Sequence, residues 1–136
     1  MQIHHLQPQI ESFFQAQPGI KAAVRIGSAG RGQLGPNSDL DYQLLLETNV
    51  QPANLLHAAK HHFGDFLKHA THPQSRDKIA LFLGEHLSPC ELLFYYEKED
   101  LDKYFLGSEI DQVRSSIVFD HTGELEGYLQ SRTEVW

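Results

Sequence analysis

Hydrophobic residues near the N-terminus change from a helical spacing to a strand-like one. Apolar positions recur every three or four residues through residues 3–14, and Pro18-Gly19 ends that pattern, which predicts an amphipathic helix. Residues 20–26 then alternate with a period of two, as do residues 39–47. We therefore expect one helix followed by two strands, with a glycine-rich loop over residues 27–38 between the strands.

The middle of the chain predicts a second helix and a hairpin. Pro52 suits the first turn of a helix whose apolar positions continue over residues 55–67 and which ends among residues 69–73. Residues 78–83 and 90–96 are β-rich runs joined by a short connection, which is typical of an antiparallel hairpin. The helix is expected to cover a sheet that the hairpin extends.

The last third of the chain predicts three shorter elements. They are a short helix over residues 97–105, a short strand over residues 116–119 and the start of a final helix over residues 122–129. The order of all the predicted elements indicates the α/β (α+β) class. We expect a sandwich in which helices pack against one mixed sheet.

Composition and charge narrow the possible functions. The chain has 136 residues, with 11 Lys and Arg against 18 Asp and Glu, and its formal net charge of −7 excludes a basic surface for nucleic acids. Its length suits a single domain over residues 1–136. No apolar run approaches the roughly 20 residues of a membrane helix.

Cys90 is the one cysteine of the chain. We therefore expect no internal disulfide, a packing role for its thiol and a cytoplasmic location.

Two acidic residues in the second predicted strand form a candidate metal site. Asp39 and Asp41 are two positions apart, so in a strand their side chains leave the same face with Cα atoms about 6.5 Å apart. Carboxylates this close repel each other unless a cation lies between them, and hard divalent cations prefer oxygen ligands. The alternative is a solvated edge strand that carries two acidic residues.

The loop before these acids has features of a phosphate-binding segment. Its glycines, beginning with Gly27, allow backbone N–H groups to approach a polyphosphate closely. Ser28 offers a hydroxyl donor, Arg31 offers a charged fork, and Ser38 directly precedes the first carboxylate. The loop has neither the ending of a P-loop nor the spacing of a Rossmann fingerprint, so an ordinary flexible turn is the alternative.

The glycine-rich loop and the acidic pair together resemble a known enzyme family. Gly27-Ser28, ten further residues and then Asp39-Leu40-Asp41 resemble the signature of the nucleotidyltransferase superfamily, the polymerase-beta-like enzymes, in its small bacterial form. Residues 101–108 and 120–123 are similar to the catalytic half of aminoglycoside and lincosamide adenylyltransferase-like proteins. The resemblance implies a nucleotidyltransferase-like sandwich. Such proteins usually continue into a C-terminal helical domain, which we expect to be absent here, so that either a second polypeptide supplies that surface or the sequence is a fragment.

The resemblance also implies a complete set of site residues. Family members carry a third acid, usually Asp, on a later strand, and Glu91 in the apolar run 90–94 is the candidate here. The alternative is that Glu91 points to solvent beside Lys78 or Lys98. The implied catalytic and metal-binding residues are Asp39, Asp41 and Glu91, and the implied nucleotide-binding residues are Gly27, Ser28, Arg31 and Ser38.

The function implied by the resemblance is Mg²⁺-dependent transfer of AMP from ATP, with two Mg²⁺ ions in the site. The acceptor would be a hydroxyl of a small, antibiotic-like molecule or of a protein. Two alternatives stay open. One is a minimal nucleotidyltransferase antitoxin that adenylylates a helical partner, namely a toxin of the HEPN type. The other is a degenerate domain that binds nucleotides without turnover. We expect neither membrane association nor stable binding of nucleic acids.

Overall fold

The computed structural model describes residues 6–26, 40–71, 78–84, 89–97, 100, 114 and 116–135 of the chain. Within these ranges the strands are β1 (Ile20–Ile26), β2 (Leu40–Leu46), β3 (Leu67–Ala70), β4 (Lys78–Leu83), β5 (Cys90–Tyr95) and β6 (Ile117–Asp120). The helices are α1 (Gln7–Ala16), α2 (Pro52–Phe63) and α3 (Glu124–Val135), and a 3₁₀ turn covers Gly64–Phe66. The described helices fall short of the length and hydrophobicity that a transmembrane span requires.

All six described strands belong to one open, mixed sheet in the order β3-β4-β5-β2-β1-β6. The pairing of β2 with β5 is parallel, whereas the other four neighbouring pairs are antiparallel. The predicted mixed sheet with helices packed against it is therefore confirmed. Because β2 and β5 run in the same direction, their first residues lie at the same edge of the sheet.

The two faces of the sheet are covered by different helices. On one face, α1 and α2 pack over the residues of β2 whose side chains point that way, which are Leu40, Tyr42, Leu44 and Leu46. On the other face, Leu125 and Leu129 of α3 pack against a smaller cluster that contains Val24, Leu45 and Tyr95. Alternate side chains of β2 thus pack into two different apolar layers, as expected for a central strand.

Side-chain contacts hold the start of α3 against β1 and β6. The Asp120 carboxylate accepts hydrogen bonds from the backbone N–H groups of Leu125, at 3.4 Å, and Glu126, at 2.9 Å. These bonds satisfy donors that the first turn of a helix leaves open. Lys21 of β1 also forms an ion pair with Glu124, with 3.1 Å between Nζ and Oε2. The start of α3 is therefore anchored to both β1 and β6.

The second helix is shorter than its sequence pattern predicts. The apolar spacing extends the helix through Leu67, but α2 ends at Phe63 because Gly64 adopts φ 57° and ψ −134°, a conformation that L side chains rarely adopt. After the 3₁₀ turn, the chain forms β3, in which Leu67 pairs with Leu83 of β4. The prediction of a helix through this segment is wrong, and β3 is an element that the sequence pattern does not predict.

The other predicted elements agree with the described part of the structure. The first helix, the strands β1, β2 and β6, the β4-β5 hairpin and the final helix all lie within a few residues of their predicted positions. The predicted loop over residues 27–38 lies outside the described residues. The predicted short helix over 97–105 also lies outside them, apart from Glu97 and Asp100.

Candidate functional site

Asp41 and Glu91 lie side by side on the two parallel strands. Their residues are register partners in the β2-β5 pair. Because directly paired residues of neighbouring strands face the same side of a sheet, and neighbouring strands are about 4.8 Å apart, the two carboxylates share one small volume. Asp41 also pairs with Ile26, the last residue of β1. The pair therefore lies at the edge where β1 ends and where β2 and β5 begin.

The two acids are partly buried rather than fully solvated. One carboxylate oxygen of Asp41, Oδ1, is inaccessible to solvent. The side chain of Glu91 is 26% exposed, although Glu91 lies in an otherwise apolar strand. Like charges on directly paired positions of a sheet destabilise it, and partial burial strengthens the repulsion. The arrangement therefore favours a cation close to both groups.

Cys90, the neighbour of Glu91, lies on the opposite face and is fully buried in the core. Burial raises the pKa of its thiol above the ordinary value, and the nearby carboxylates of Asp41 and Glu91 raise it further. A thiol whose pKa is raised is a poor nucleophile. Cys90 therefore contributes to packing, as its sequence context predicts.

Glu91 also has a basic neighbour on β4. The Nζ atom of Lys78 lies 3.4 Å from Oε2 of Glu91, and Lys78 is half exposed. Ala80, two positions along β4, is the register partner of Glu91, so Lys78 reaches the carboxylate diagonally on the same face. Glu91 thus lies beside Lys78, as in the alternative given for it, and this contact coexists with the placement beside Asp41. Lys98, the other lysine of that alternative, lies outside the described residues.

The other predicted site residues lie outside the described part of the chain. These are Gly27, Ser28, Arg31, Ser38 and Asp39. The strand residues that adjoin this segment are described: Ile26 precedes Gly27, and Leu40 follows Asp39. Among the described residues there is no group of three or more His, Cys, Asp or Glu side chains that could hold a metal ion. The described structure therefore brings together two of the three predicted carboxylates.

A buried polar cluster on the other face of β2 was not predicted. Arg25 donates two hydrogen bonds to the carboxylate of Glu11, at 2.7 Å and 2.6 Å, and the hydroxyl of Tyr42 donates a third at 2.6 Å. The hydrogen bonds with Glu11 raise the pKa of the Arg25 guanidinium. Burial, followed by the bond to Glu11, raises the pKa of the Tyr42 hydroxyl, which stays protonated as a donor.

This cluster connects α1 to β1 and to β2, the strand that carries Asp41. Arg25 and Tyr42 are register partners, directly next to the pair formed by Ile26 and Asp41. Glu11 lies three residues before the buried Phe14 on α1, so its position on the apolar side of the helix was a usable signal in the sequence. The cluster thereby fixes the β1-β2 register at the position of Asp41.

A surface cavity of about 410 Å³ lies between α1 and the end of α2. Its lining residues are Gln9, Ser12, His62, Phe63 and Phe66. These helices cover the face of the sheet opposite to Asp41 and Glu91. The cavity is therefore separate from the carboxylate pair.

Comparison with known proteins adds no family assignment. The chain matches no protein-family model, and a search of curated proteins finds no significant match.

Proposed function

We propose that the chain is a metal-dependent nucleotidyltransferase with a nucleotidyltransferase-like sandwich fold, which transfers AMP from ATP to a hydroxyl group. The observation that carries this proposal is the direct pairing of Asp41 with Glu91 on the parallel strands β2 and β5. The pair lies at the edge where β1 ends, immediately before Gly27-Ser28. Ile26, the described residue that directly precedes Gly27-Ser28 in the sequence, is thus the register partner of Asp41.

The donor set fits Mg²⁺. Mg²⁺ is a hard cation that proteins bind through one or two carboxylates together with phosphate oxygens. Asp41 and Glu91 supply two carboxylates on one face, and Asp39 lies two positions before Asp41 in the sequence. Asp39, Asp41 and Glu91 would hold the ions, which would polarise the α-phosphate and stabilise the leaving oxygen when bound.

The protein residues have separate tasks in this reaction. The acceptor hydroxyl oxygen forms a bond to the α-phosphorus, the bond from the α-phosphorus to the bridging oxygen breaks, and pyrophosphate leaves. Glu91, which is partly exposed, accepts the hydroxyl proton. The backbone at Gly27, together with Ser28, Arg31 and Ser38, binds the remaining phosphate oxygens.

The proposal is tested by incubating the protein with Mg²⁺, a cell extract and ATP labelled either at the α-phosphate or at the γ-phosphate. We expect label from the α-position, but not from the γ-position, to become attached to an acceptor, because AMP is transferred and pyrophosphate leaves. Label on a small molecule identifies a small acceptor, and label on a protein identifies a protein substrate. The measurement is chromatography for the first class and gel autoradiography for the second.

Two outcomes of the labelling experiment would contradict the proposal. Transfer of the γ-label would show a kinase and overturn the proposal. Transfer of neither label, with no ATP binding in the presence of Mg²⁺, would overturn it as well. ATP binding without transfer would support the degenerate nucleotide-binding domain instead of an enzyme.

A further inference from the structure

Lys78 is a basic side chain that forms an ion pair with one member of the carboxylate pair. Its Nζ atom lies 3.4 Å from Oε2 of Glu91, on the face of the sheet that also carries Asp41. The lysine side chain is 51% exposed, whereas that of Glu91 is 26% exposed. The lysine therefore approaches from the solvent side and has room to change its rotamer.

We propose that Lys78 is a positioning residue that changes its anionic partner, from the Glu91 carboxylate to a nucleotide phosphate, when a divalent cation binds. This inference rests on the proposed nucleotidyltransferase function. Without a divalent cation, the ammonium group holds Glu91 and neutralises part of the charge of the pair. When a cation binds the carboxylates, Lys78 leaves Glu91 and contacts a phosphate group of the nucleotide.

The physical basis for the exchange is competition for the same oxygen atoms. A dication attracts a carboxylate about twice as strongly as an ammonium group does at equal distance. Exposed ion pairs of lysine are weak, and the four-carbon stem moves the ammonium group without moving the backbone. The displaced charge stays on the same face of the sheet as the proposed nucleotide site.

The exchange predicts two opposite effects of one substitution. In Lys78→Met, Mn²⁺ alone should bind about fivefold more tightly than to the wild type, because the competing ammonium group beside Glu91 is removed. ATP, titrated at saturating Mn²⁺, should bind about fivefold more weakly, because one phosphate contact is lost. Both affinities are measured by isothermal titration calorimetry on the full chain.

Matched variants separate this exchange from a general effect of charge. Lys60→Met removes the same charge from an exposed position on α2, which covers the opposite face, and should change neither affinity. Lys78→Arg keeps the charge and should restore most of the ATP affinity. Circular dichroism melting of each variant reports whether the fold is retained, and the partial exposure of Lys78 predicts that it is.

The outcomes distinguish this inference from the proposed function. If the wild type binds Mn²⁺ and ATP but Lys78→Met leaves either affinity unchanged, the exchange is refuted while the nucleotidyltransferase proposal stands. If Mn²⁺ binds equally weakly to the wild type and to Glu91→Gln, no carboxylate site exists. That result would overturn the proposed function together with the exchange.

Discussion

Asp41→Asn is expected to lower the rate of AMP transfer by at least about 100-fold and to keep the protein folded. Loss of a residue that only supports a metal ligand costs 10- to 100-fold in other metal sites, so loss of a ligand itself should cost at least as much. Because Asp41 is paired directly with Glu91, removal of its charge also removes a repulsion. The rate is measured with α-labelled ATP, and the melting temperature is measured without divalent ions.

The specificity of this effect is checked with two further substitutions. Glu91→Gln should cause a similar loss, since it removes the charge of the facing carboxylate. Asp65→Asn changes an exposed aspartate in the 3₁₀ turn and should leave transfer unchanged. Transfer by Asp41→Asn at close to the wild-type rate would rule out a metal-binding role for Asp41. A variant that melts far below the wild type would show that Asp41 is needed for folding instead.

Glu11→Ala is expected to lower the free energy of unfolding by about 2–4 kcal/mol. Removing one partner from a buried ion pair costs about 3–5 kcal/mol, and the 33% exposure of the Arg25 side chain allows water to recover part of that loss. The hydroxyl of Tyr42, in a fully buried residue, would lose its acceptor as well. Urea unfolding followed by circular dichroism measures the change.

An ion pair whose carboxylate is about half exposed provides the comparison for Glu11. Arg114 and Glu126 lie 2.9 Å apart, with side chains that are 36% and 48% exposed, so Glu126→Ala should cost less than about 1 kcal/mol. Glu11→Gln keeps the shape and an acceptor for Tyr42, so its cost should lie between those of the two alanine variants. Equal stabilities of Glu11→Ala and Glu126→Ala would contradict a structural role for the buried cluster.

The sequence pattern was most informative for those strands and helices that the local spacing of apolar residues is enough to define. Period-two alternation predicts β1 and β2 because successive side chains of a strand face opposite sides of the sheet, and each side here carries its own apolar layer. The end of α2 was missed because Phe66 and Leu67 also fit the helical spacing of the residues before them. Gly64 was the available signal, since glycine commonly follows the last residue of a helix.

Relations between distant strands were harder to predict. The alternation decides which residues of β5 share a face with Glu91, but it does not decide whether β5 runs parallel to β2 or which residues are paired. The pairing of Asp41 with Glu91, and the approach of Lys78 from β4, follow from that register. The Glu11 cluster likewise depends on how α1 packs across β1 and β2, which no local pattern specifies.

The most direct test of the proposed site is a crystal of the full chain soaked with Mn²⁺ and a non-hydrolysable ATP analogue. We expect a peak in the anomalous difference map in contact with the carboxylates of Asp41 and Glu91, together with density for the triphosphate beside it. Bound analogue with manganese at another position, or at none, would contradict the assignment of these two carboxylates as ligands.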